Sequence, residues 1–272
     1  MSNYKLIAID VDGTLLNDKK QIDIETKESI NNAIQNKKGV VICTGRCYPE
    51  LIDILKELPK IRYVIGTSGT WIFDTYTKKD ICEVTIDIDI VKEIFRRIEH
   101  KDVLVHLLNK KSVIQSDKLH NMERYQMGVY QKMFEKIAIE TPDIKEYFYS
   151  NLPKLTKFNI YHKNVEDRED TRKLLEDLDL ELTNSERTSL ECTAKGVSKG
   201  TGLERLAKFL NIEMKDVIAI GDSDNDVSML KVAGLPIAMG NAKENIKALC
   251  KKVVSDNNNN GVAKAINEYL LF

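Results

Sequence analysis

Short, unbroken apolar runs recur along this chain at Tyr4–Ile9, Val40–Cys43, Tyr63–Ile65, Val217–Ile220 and Pro236–Met239. Each gives way to a turn or a polar cluster. Continuous rather than alternating hydrophobicity predicts strands buried on both faces, as in a parallel sheet covered by helices. Between the runs the period changes. Ile30, Ala33 and Ile34 share one helical face, and Leu203, Leu206, Ala207 and Leu210 fall at i, i+3, i+4 and i+7. Gly39 and Gly234 stand where C-terminal caps belong. This alternation of strand and helix predicts a doubly wound, Rossmann-like α/β core built on a parallel sheet.

The middle of the chain has a different texture. Val103–Leu108, Ser112–Ser116, Phe158–His162 and Leu178–Thr183 read as shorter strands, some alternating apolar with polar. Val91, Ile94, Phe95 and Ile98 mark an amphipathic helix, and the charged stretch Val165–Asp177 reads as another with a solvated face. Alternation suits a sheet with one face on a core and the other exposed. The expected organisation is therefore a core from residues 1–82 and 190–272, with an α/β cap domain inserted at 83–189. The run Asn257–Asn260 reads as a solvated loop before the last helix.

Composition narrows the function classes. The 272 residues suffice for one large core or two modest ones, and 42% hydrophobic with 31% charged residues is ordinary for a globular protein. Lys plus Arg number 41 against 42 for Asp plus Glu, a net charge of −1. That balance gives no electrostatic footprint for nucleic acid or an anionic membrane. No apolar stretch approaches the ~20 residues that span a bilayer. The opening MSNYKLIAIDVDG lacks a basic n-region and does not read as a signal peptide. The 5 cysteines are scattered and never spaced CxxC, which fits reduced thiols and a cytoplasmic location.

Candidate chemistry gathers at strand ends. Ile9 gives way to Asp10, Cys43 to Thr44, and Ile220 to Gly221-Asp222. Open α/β sheets bind ligands beyond the carboxyl ends of their strands, so these distant residues are expected to converge on one crevice. Asp10 and Asp12 lie one residue apart, with Gly13 free to turn sharply after them. Two such carboxylates repel unless a cation or proton intervenes. Mg²⁺ answers that need with few carboxylates, several waters and a substrate phosphate, and Asp222, Asp224 and Asp226 can complete its ligand set. A carboxylate can then attack phosphorus, while its neighbour handles the leaving-group proton. Thr44 offers a hydroxyl, Gly45 a backbone N–H, and Lys199 a point charge for phosphoryl oxygens.

Taken together, Asp10-Val11-Asp12-Gly13-Thr14-Leu15, Thr44-Gly45-Arg46, Lys199-Gly200 and Gly221-Asp222-Ser223-Asp224-Asn225-Asp226 resemble the motifs of haloacid dehalogenase-superfamily phosphatases. The resemblance is nearest to the Cof-type subgroup with a large α/β cap. It implies Asp10 as nucleophile and Asp12 as general acid/base. It implies a Mg²⁺ site from Asp10, the Asp12 carbonyl and Asp222, with Asp226 a ligand or the neighbour of one. Thr44, Gly45, Lys199 and Asn225 would contact phosphate, and Arg46 stands as a substrate-binding candidate beside a plain structural salt bridge. Ser68-Gly69 departs from the Asn-Gly common in relatives, which puts substrate contacts from that loop in question. The implied activity is hydrolysis of small phosphorylated metabolites, with the cap closing over the crevice; neither nucleic acid nor membrane is an expected partner.

Other readings fit less well. As calcium loops, the Asp10 and Asp222 segments would need Gly at the sixth position and Glu at the twelfth, and neither has them. Gly221-Asp222-Ser223 faintly resembles a serine esterase block, but no histidine follows His162. A phosphomutase on the same scaffold, or a non-catalytic phosphometabolite-binding regulator, remains open from sequence. The 4 histidines (His100, His106, His120 and His162) share no ligand spacing and read as surface or packing residues, Cys43 as a small core hydrophobe, and Trp71 as core or cleft lining.

Overall fold

A computed structural model describes residues 4–151 and 154–272. The chain divides into two compact units. One takes in the chain up to Gly45, Asp53–Cys82 and Ser198–Phe272; the other takes in Arg46–Ile52 and Glu83–Val197.

The chain begins with β1 (Leu6–Ile9), α1 (Ile24–Gln35), β2 (Gly39–Cys43), α2 (Tyr48–Glu57), β3 (Tyr63–Gly66), β4 (Trp71–Asp74) and β5 (Lys79–Glu83). All lie in the first unit except the start of α2, up to Ile52, and the last residue of β5. The second unit contributes α3 (Ile88–Ile98), β6 (Leu104–Leu108), β7 (Ser112–Gln115), α4 (Ser116–Leu119), α5 (Gln131–Ile137), β8 (Ile139–Thr141), α6 (Ile144–Asn151), β9 (Lys157–Tyr161), α7 (Val165–Leu175), β10 (Leu180–Thr183) and β11 (Ser189–Ala194). The chain then returns with α8 (Lys199–Phe209), β12 (Val217–Gly221), α9 (Val227–Val232), β13 (Leu235–Ala238), α10 (Glu244–Leu249), β14 (Lys252–Val253) and α11 (Gly261–Ala265).

In the first unit an 8-stranded sheet has the order β14-β13-β12-β1-β2-β3-β4-β5. Strands β14, β13, β12, β1, β2 and β3 run parallel, and β4 turns back antiparallel on β3. The apolar runs sit here because both sheet faces are covered. Every residue of β1 is buried, and Leu6, Ala8, Val41, Cys43 and Ile65 pack with Leu203, Leu206 and Ala207 of α8. Each such aliphatic side chain contributes about 1.5–3 kcal/mol when fully buried. β1 lies centrally, with β2 on one side and β12 on the other, in register Ile9↔Ile42 and Ile9↔Ile220. The strand order reverses at this point, and the crevice of a doubly wound sheet opens there. The glycines expected as helix caps do other work. α1 closes at Asn36, followed by Lys37 at φ 61, while Gly39 opens β2. Gly234 lets the chain pass the backbone of Lys215, whose carbonyl would lie 2.1 Å from an added Cβ.

The second unit carries a 6-stranded sheet of order β10-β11-β9-β6-β7-β8. β11 pairs antiparallel with both β9 and β10, which carries this unit past the expected boundary at 189 to Val197. On one face Leu107, Phe158, Ile160, Leu190 and Cys192 pack against Val91, Ile94, Phe95 and Ile98, the stripe read from sequence on α3. The Asp87 side chain caps that helix by accepting from Asp89 N–H. The opposite face departs from expectation: it is polar yet buried. His106, Lys157, Asn159, Tyr161, Glu191 and Thr193 all lie out of solvent there. Met122, Met127 and Phe134 cover part of it, packing on Leu104, Ile114 and Tyr161. Lys157 and Glu191 pair at 2.6 Å, whereas Asn159 Oδ1 has no hydrogen-bond partner among the described residues. His162 is held on both ring nitrogens, by the Thr188 carbonyl and Thr171 Oγ1, each at 2.9 Å. Among the described residues no helix is long and apolar enough to cross a membrane.

Candidate active site

The end of β1 delivers Asp10 into the first unit's crevice, 4% exposed, its N–H bonded to the Ile220 carbonyl of β12 at 3.1 Å. The next turn is tight. Leu15 N–H returns to the Asp10 carbonyl at 3.1 Å and Leu16 N–H to that of Val11 at 2.9 Å. Gly13 sits at φ +79 with its Cα against the Asp222 carboxylate; an added Cβ would meet Asp222 Oδ2 at 2.6 Å. Only glycine meets both demands.

The chain leaves β12 through Gly221 and a short turn over Asp224–Asp226. Ser223 and Asp226 form a reciprocal cap, with Asp226 Oδ2 accepting from the N–H groups of Asp222 and Ser223 at 3.0 Å each. This fixes Asp226 wholly buried, its other oxygen facing Lys199. α8 starts where Ser198 and Thr201 form a second reciprocal cap. Lys199, 1% exposed, extends from the first residue of that helix to Asp10 Oδ1 at 2.6 Å, Asp226 Oδ1 at 2.7 Å and Asn225 Oδ1 at 3.3 Å.

Asp10, Asp222 and Asp226 each place a carboxylate oxygen within 4.8 Å of the others. Burial, then the Asp226 charge, pushes the Asp10 carboxyl well above the ordinary range, while Lys199 opposes the rise. Asp222 is pushed up to about 7, by burial first and Asp226 second, with a hydrogen bond from Thr14 pulling the other way. For Lys199, burial disfavours the charge, but Asp10 and Asp226 outweigh it and hold the ammonium well above its usual pKa. Three carboxylates around one ammonium leave negative charge uncompensated in a dry site. A hard dication with oxygen ligands fits that donor set.

The structure brings Asp10, Asp222, Asp226, Lys199 and Asn225 into one cluster. Thr44 stands at the end of β2, buried, its N–H on the Ile65 carbonyl at 2.8 Å and its carbonyl accepting from Ser68 N–H at 3.0 Å; Gly45 follows in the bend. Asp12 directs its carboxylate to Lys20 Nζ at 3.1 Å. Asp224 lies outside the cluster and pairs with Lys243 at 2.8 Å. Arg46 donates to the Glu50 carbonyl at 3.2 Å and reaches Met133 Sδ at 3.5 Å, all within the second unit. Trp71 stacks on Phe73 and donates to Asp80 at 2.7 Å. Cys43 is fully buried, as a core residue should be, and burial raises its thiol pKa.

Two further residues that touch this cluster or its loop have no assignment from sequence. Thr14 Oγ1 orients Asp222 at 2.7 Å, and Asn241 Nδ2 donates to the Gly13 carbonyl at 2.8 Å. Thr14 lay within a quoted motif and could have been singled out; Asn241 carries no local signal. The Asn257–Asn260 run is less solvated than expected. Asn257 is 7% exposed and bonds to the Leu16 carbonyl and Asp18, whereas Asn258 and Asn259 are exposed.

A central parallel sheet with a buried carboxylate cluster at its switch point defines a doubly wound α/β enzyme scaffold. A sequence model of haloacid dehalogenase-like hydrolases matches residues 7–266, so the chain belongs to that family. It is 31% identical to the 5-amino-6-(5-phospho-D-ribitylamino)uracil phosphatase YcsE of Bacillus subtilis, covering 99% of this chain and 97% of that protein. Phosphatase YwpJ of the same organism is 29% identical over 98% of this chain and 100% of its own. Among solved structures, a haloacid dehalogenase-like hydrolase from B. subtilis superposes with a TM-score of 0.87 at 30% identity, covering 97% of this chain and 99% of that one. The expectations of an enzyme of this superfamily, and of its fold, agree with these likenesses.

Proposed function

We propose that the chain is a Mg²⁺-dependent phosphatase of small phosphomonoesters that works through a phosphoryl group carried on Asp10. The observation carrying this reading is the Asp10–Asp222–Asp226 cluster with Lys199 buried at its centre, at the ends of β1 and β12. A carboxylate oxygen of Asp10 attacks phosphorus, and the bond from phosphorus to the substrate's alcohol oxygen breaks. Asp12 gives that oxygen its proton and later takes one from the water that displaces phosphate from Asp10. Lys199 holds Asp10 Oδ1 in place and offers its charge to the phosphoryl oxygens, with Thr44, Gly45 and Asn225 as hydrogen-bonding partners. Arg46 is the further substrate-binding candidate.

Asp10, the Asp12 carbonyl, Asp222 and Asp226 would hold the ion. When bound, Mg²⁺ would offset the crowded carboxylates and draw charge from the phosphoryl oxygens. The best supported substrate class is the phosphate ester of a sugar or polyol. YcsE is named for a phosphoribityl substrate.

The test is phosphate release from a panel of phosphorylated sugars and polyols with Mg²⁺. Release is expected from at least one, and Asp10→Asn should lower it by about 10⁴-fold or more while the fold is retained. Isomerisation without phosphate release would instead identify a mutase, and substantial activity in Asp10→Asn would remove Asp10 as nucleophile.

A further inference from the structure

The loop that carries Asp12 runs from Val11 to Asp23 between β1 and α1. Its internal bonds are local. Asn17 Oδ1 accepts from the N–H groups of Lys19 and Gln21, Asn17 Nδ2 donates to Asp23, and Lys20 Nζ meets the Asp12 carboxylate at 3.1 Å. Leu16 N–H meets the Val11 carbonyl, Asp12 and Leu16 form an isolated bridge, and Asn17 N–H meets the Gln21 carbonyl. Further restraint comes from the far end of the chain. Asn241 Nδ2 donates to the Gly13 carbonyl at 2.8 Å, immediately after Asp12. Asn257 Nδ2 donates to the carbonyl of Leu16, the bridge partner of Asp12, at 3.1 Å, and to Asp18 Oδ1 at 3.1 Å. Asn258 exchanges two bonds with Asp18, donating to Oδ2 at 3.0 Å and accepting from the Asp18 N–H at 3.1 Å.

The two halves of this arrangement are joined, because Asn257 N–H donates to Asn241 Oδ1 at 3.2 Å. The turn that presents them is itself fixed. Asp256 accepts from Asn258 N–H at 2.9 Å and from Asn259 Nδ2 at 2.8 Å, and Gly240 N–H meets the Ser255 carbonyl at 3.1 Å. The two bonds from Asn241 and Asn257 to the Gly13 and Leu16 carbonyls join neutral amides to backbone, and neither partner titrates. The hold falls on the carbonyls of Gly13 and Leu16, just beyond Asp12, and not on the Asp12 carboxylate, which pairs with Lys20 Nζ at 3.1 Å.

We propose that Asn241 and Asn257 are positioning residues for Asp12, forming an amide clasp that keeps the acid/base loop at the distance proton transfer requires. The proposal rests on the assignment of Asp12 as general acid/base. Its consequence is selective. Expulsion of an alkyl alcohol needs a proton from Asp12, whereas 4-nitrophenolate leaves without one. A slackened loop therefore penalises the first kind of ester and spares the second. The parameter to read is kcat/KM, which reports steps up to release of the alcohol.

Asn257→Ala and Asn241→Ala are each compared with wild type and Asp12→Asn, using a phosphorylated polyol and 4-nitrophenyl phosphate with Mg²⁺. Asn241 is exposed, so its variant preserves the test if Asn257→Ala folds poorly. The expected result is a loss of about tenfold or more in kcat/KM for the polyol ester and under about threefold for the nitrophenyl ester, a fraction of the ~10²–10⁴ that general acid catalysis supplies. In the Asp12→Asn background the same substitutions should add little to that preference, since the group they position is gone. Equal losses on both esters, or full additivity with Asp12→Asn, would overturn the clasp. If Asp12→Asn itself shows no leaving-group preference, the acid/base assignment falls and the clasp with it.

Discussion

Lys199 is a fully desolvated ammonium whose charge survives because Asp10 and Asp226 lie within 2.7 Å. Removing one partner of a buried ion pair costs more than the pair contributes, because the others stay buried and unpaired. Lys199→Met is accordingly expected to lose about 3–5 kcal/mol of stability in Mg²⁺-free urea titrations. Turnover should fall by about 10² or more. His106 shows the opposite balance. Burial first, and the Lys157 charge second, push its pKa down to about 3, and it stays neutral between Ser112 Oγ at 2.7 Å and Tyr161 OH at 3.4 Å. An unfolded chain protonates this histidine near pH 6.5, whereas the fold resists until about 3. Its contribution is thus complete above about pH 6.5 and is lost as pH falls from there towards 3, at up to ~1.4 kcal/mol per pH unit. Nearby Glu50, raised by burial, titrates with the opposite sign, so the comparison must isolate His106. In urea midpoints measured against pH, the advantage of wild type over His106→Gln should shrink below pH ~6.5. A constant gap would show that His106 is not held neutral.

At the level of elements, the position of Lys199 depends on how closely α8 approaches the turn after β3. Thr67 and Ser68 adopt φ 45 and 59, and Gly69 follows at φ 95. An added Cβ on Gly69 would lie 1.9 Å from the Ser198 carbonyl, the N-cap of α8. The glycine is therefore required twice, by its backbone angle and by the helix that leans on it. Gly69→Ala should displace the start of α8 and with it Lys199. The expected cost is about 2–4 kcal/mol in urea unfolding, together with loss of turnover at temperatures where the variant remains folded. A fully active, equally stable variant would mean that this contact does not set the position of Lys199.

Across the whole first unit, the parallel sheet concentrates acid at one edge of the crevice and leaves its charge to be offset. Mg²⁺ should therefore stabilise the fold by about 2.7 kcal/mol at a hundredfold excess over its dissociation constant, and raise the unfolding midpoint accordingly. Asp222→Asn removes a carboxylate already pushed up to about 7 by burial and Asp226. That variant should be more stable than wild type without Mg²⁺ at neutral pH, and should lose most of the Mg²⁺-induced rise. Thermal unfolding with and without chelator reads both effects. An undiminished Mg²⁺ response in Asp222→Asn would place the ion elsewhere.

The order and type of the central elements were legible because strands buried on both faces must be continuously apolar, as β1, β2 and β12 are. Strand ends and adjacent glycines are local signals, so Asp10, Thr44, Lys199 and Asp222 could be singled out before any contact was known. The short edge strands β5 and β14 carry exposed residues and left no such trace. Local pattern also misjudged the second sheet, where alternation implied an open face and Lys157, Asn159 and Glu191 instead lie buried. Asn241 and Asn257 mark the limit most clearly. A polar side chain in a turn looks the same whether water or a distant carbonyl accepts its hydrogen bond. Only the folded chain brings Asn257 to Leu16 and Asn241 to Gly13, because those contacts arise from the meeting of segments that no local period encodes.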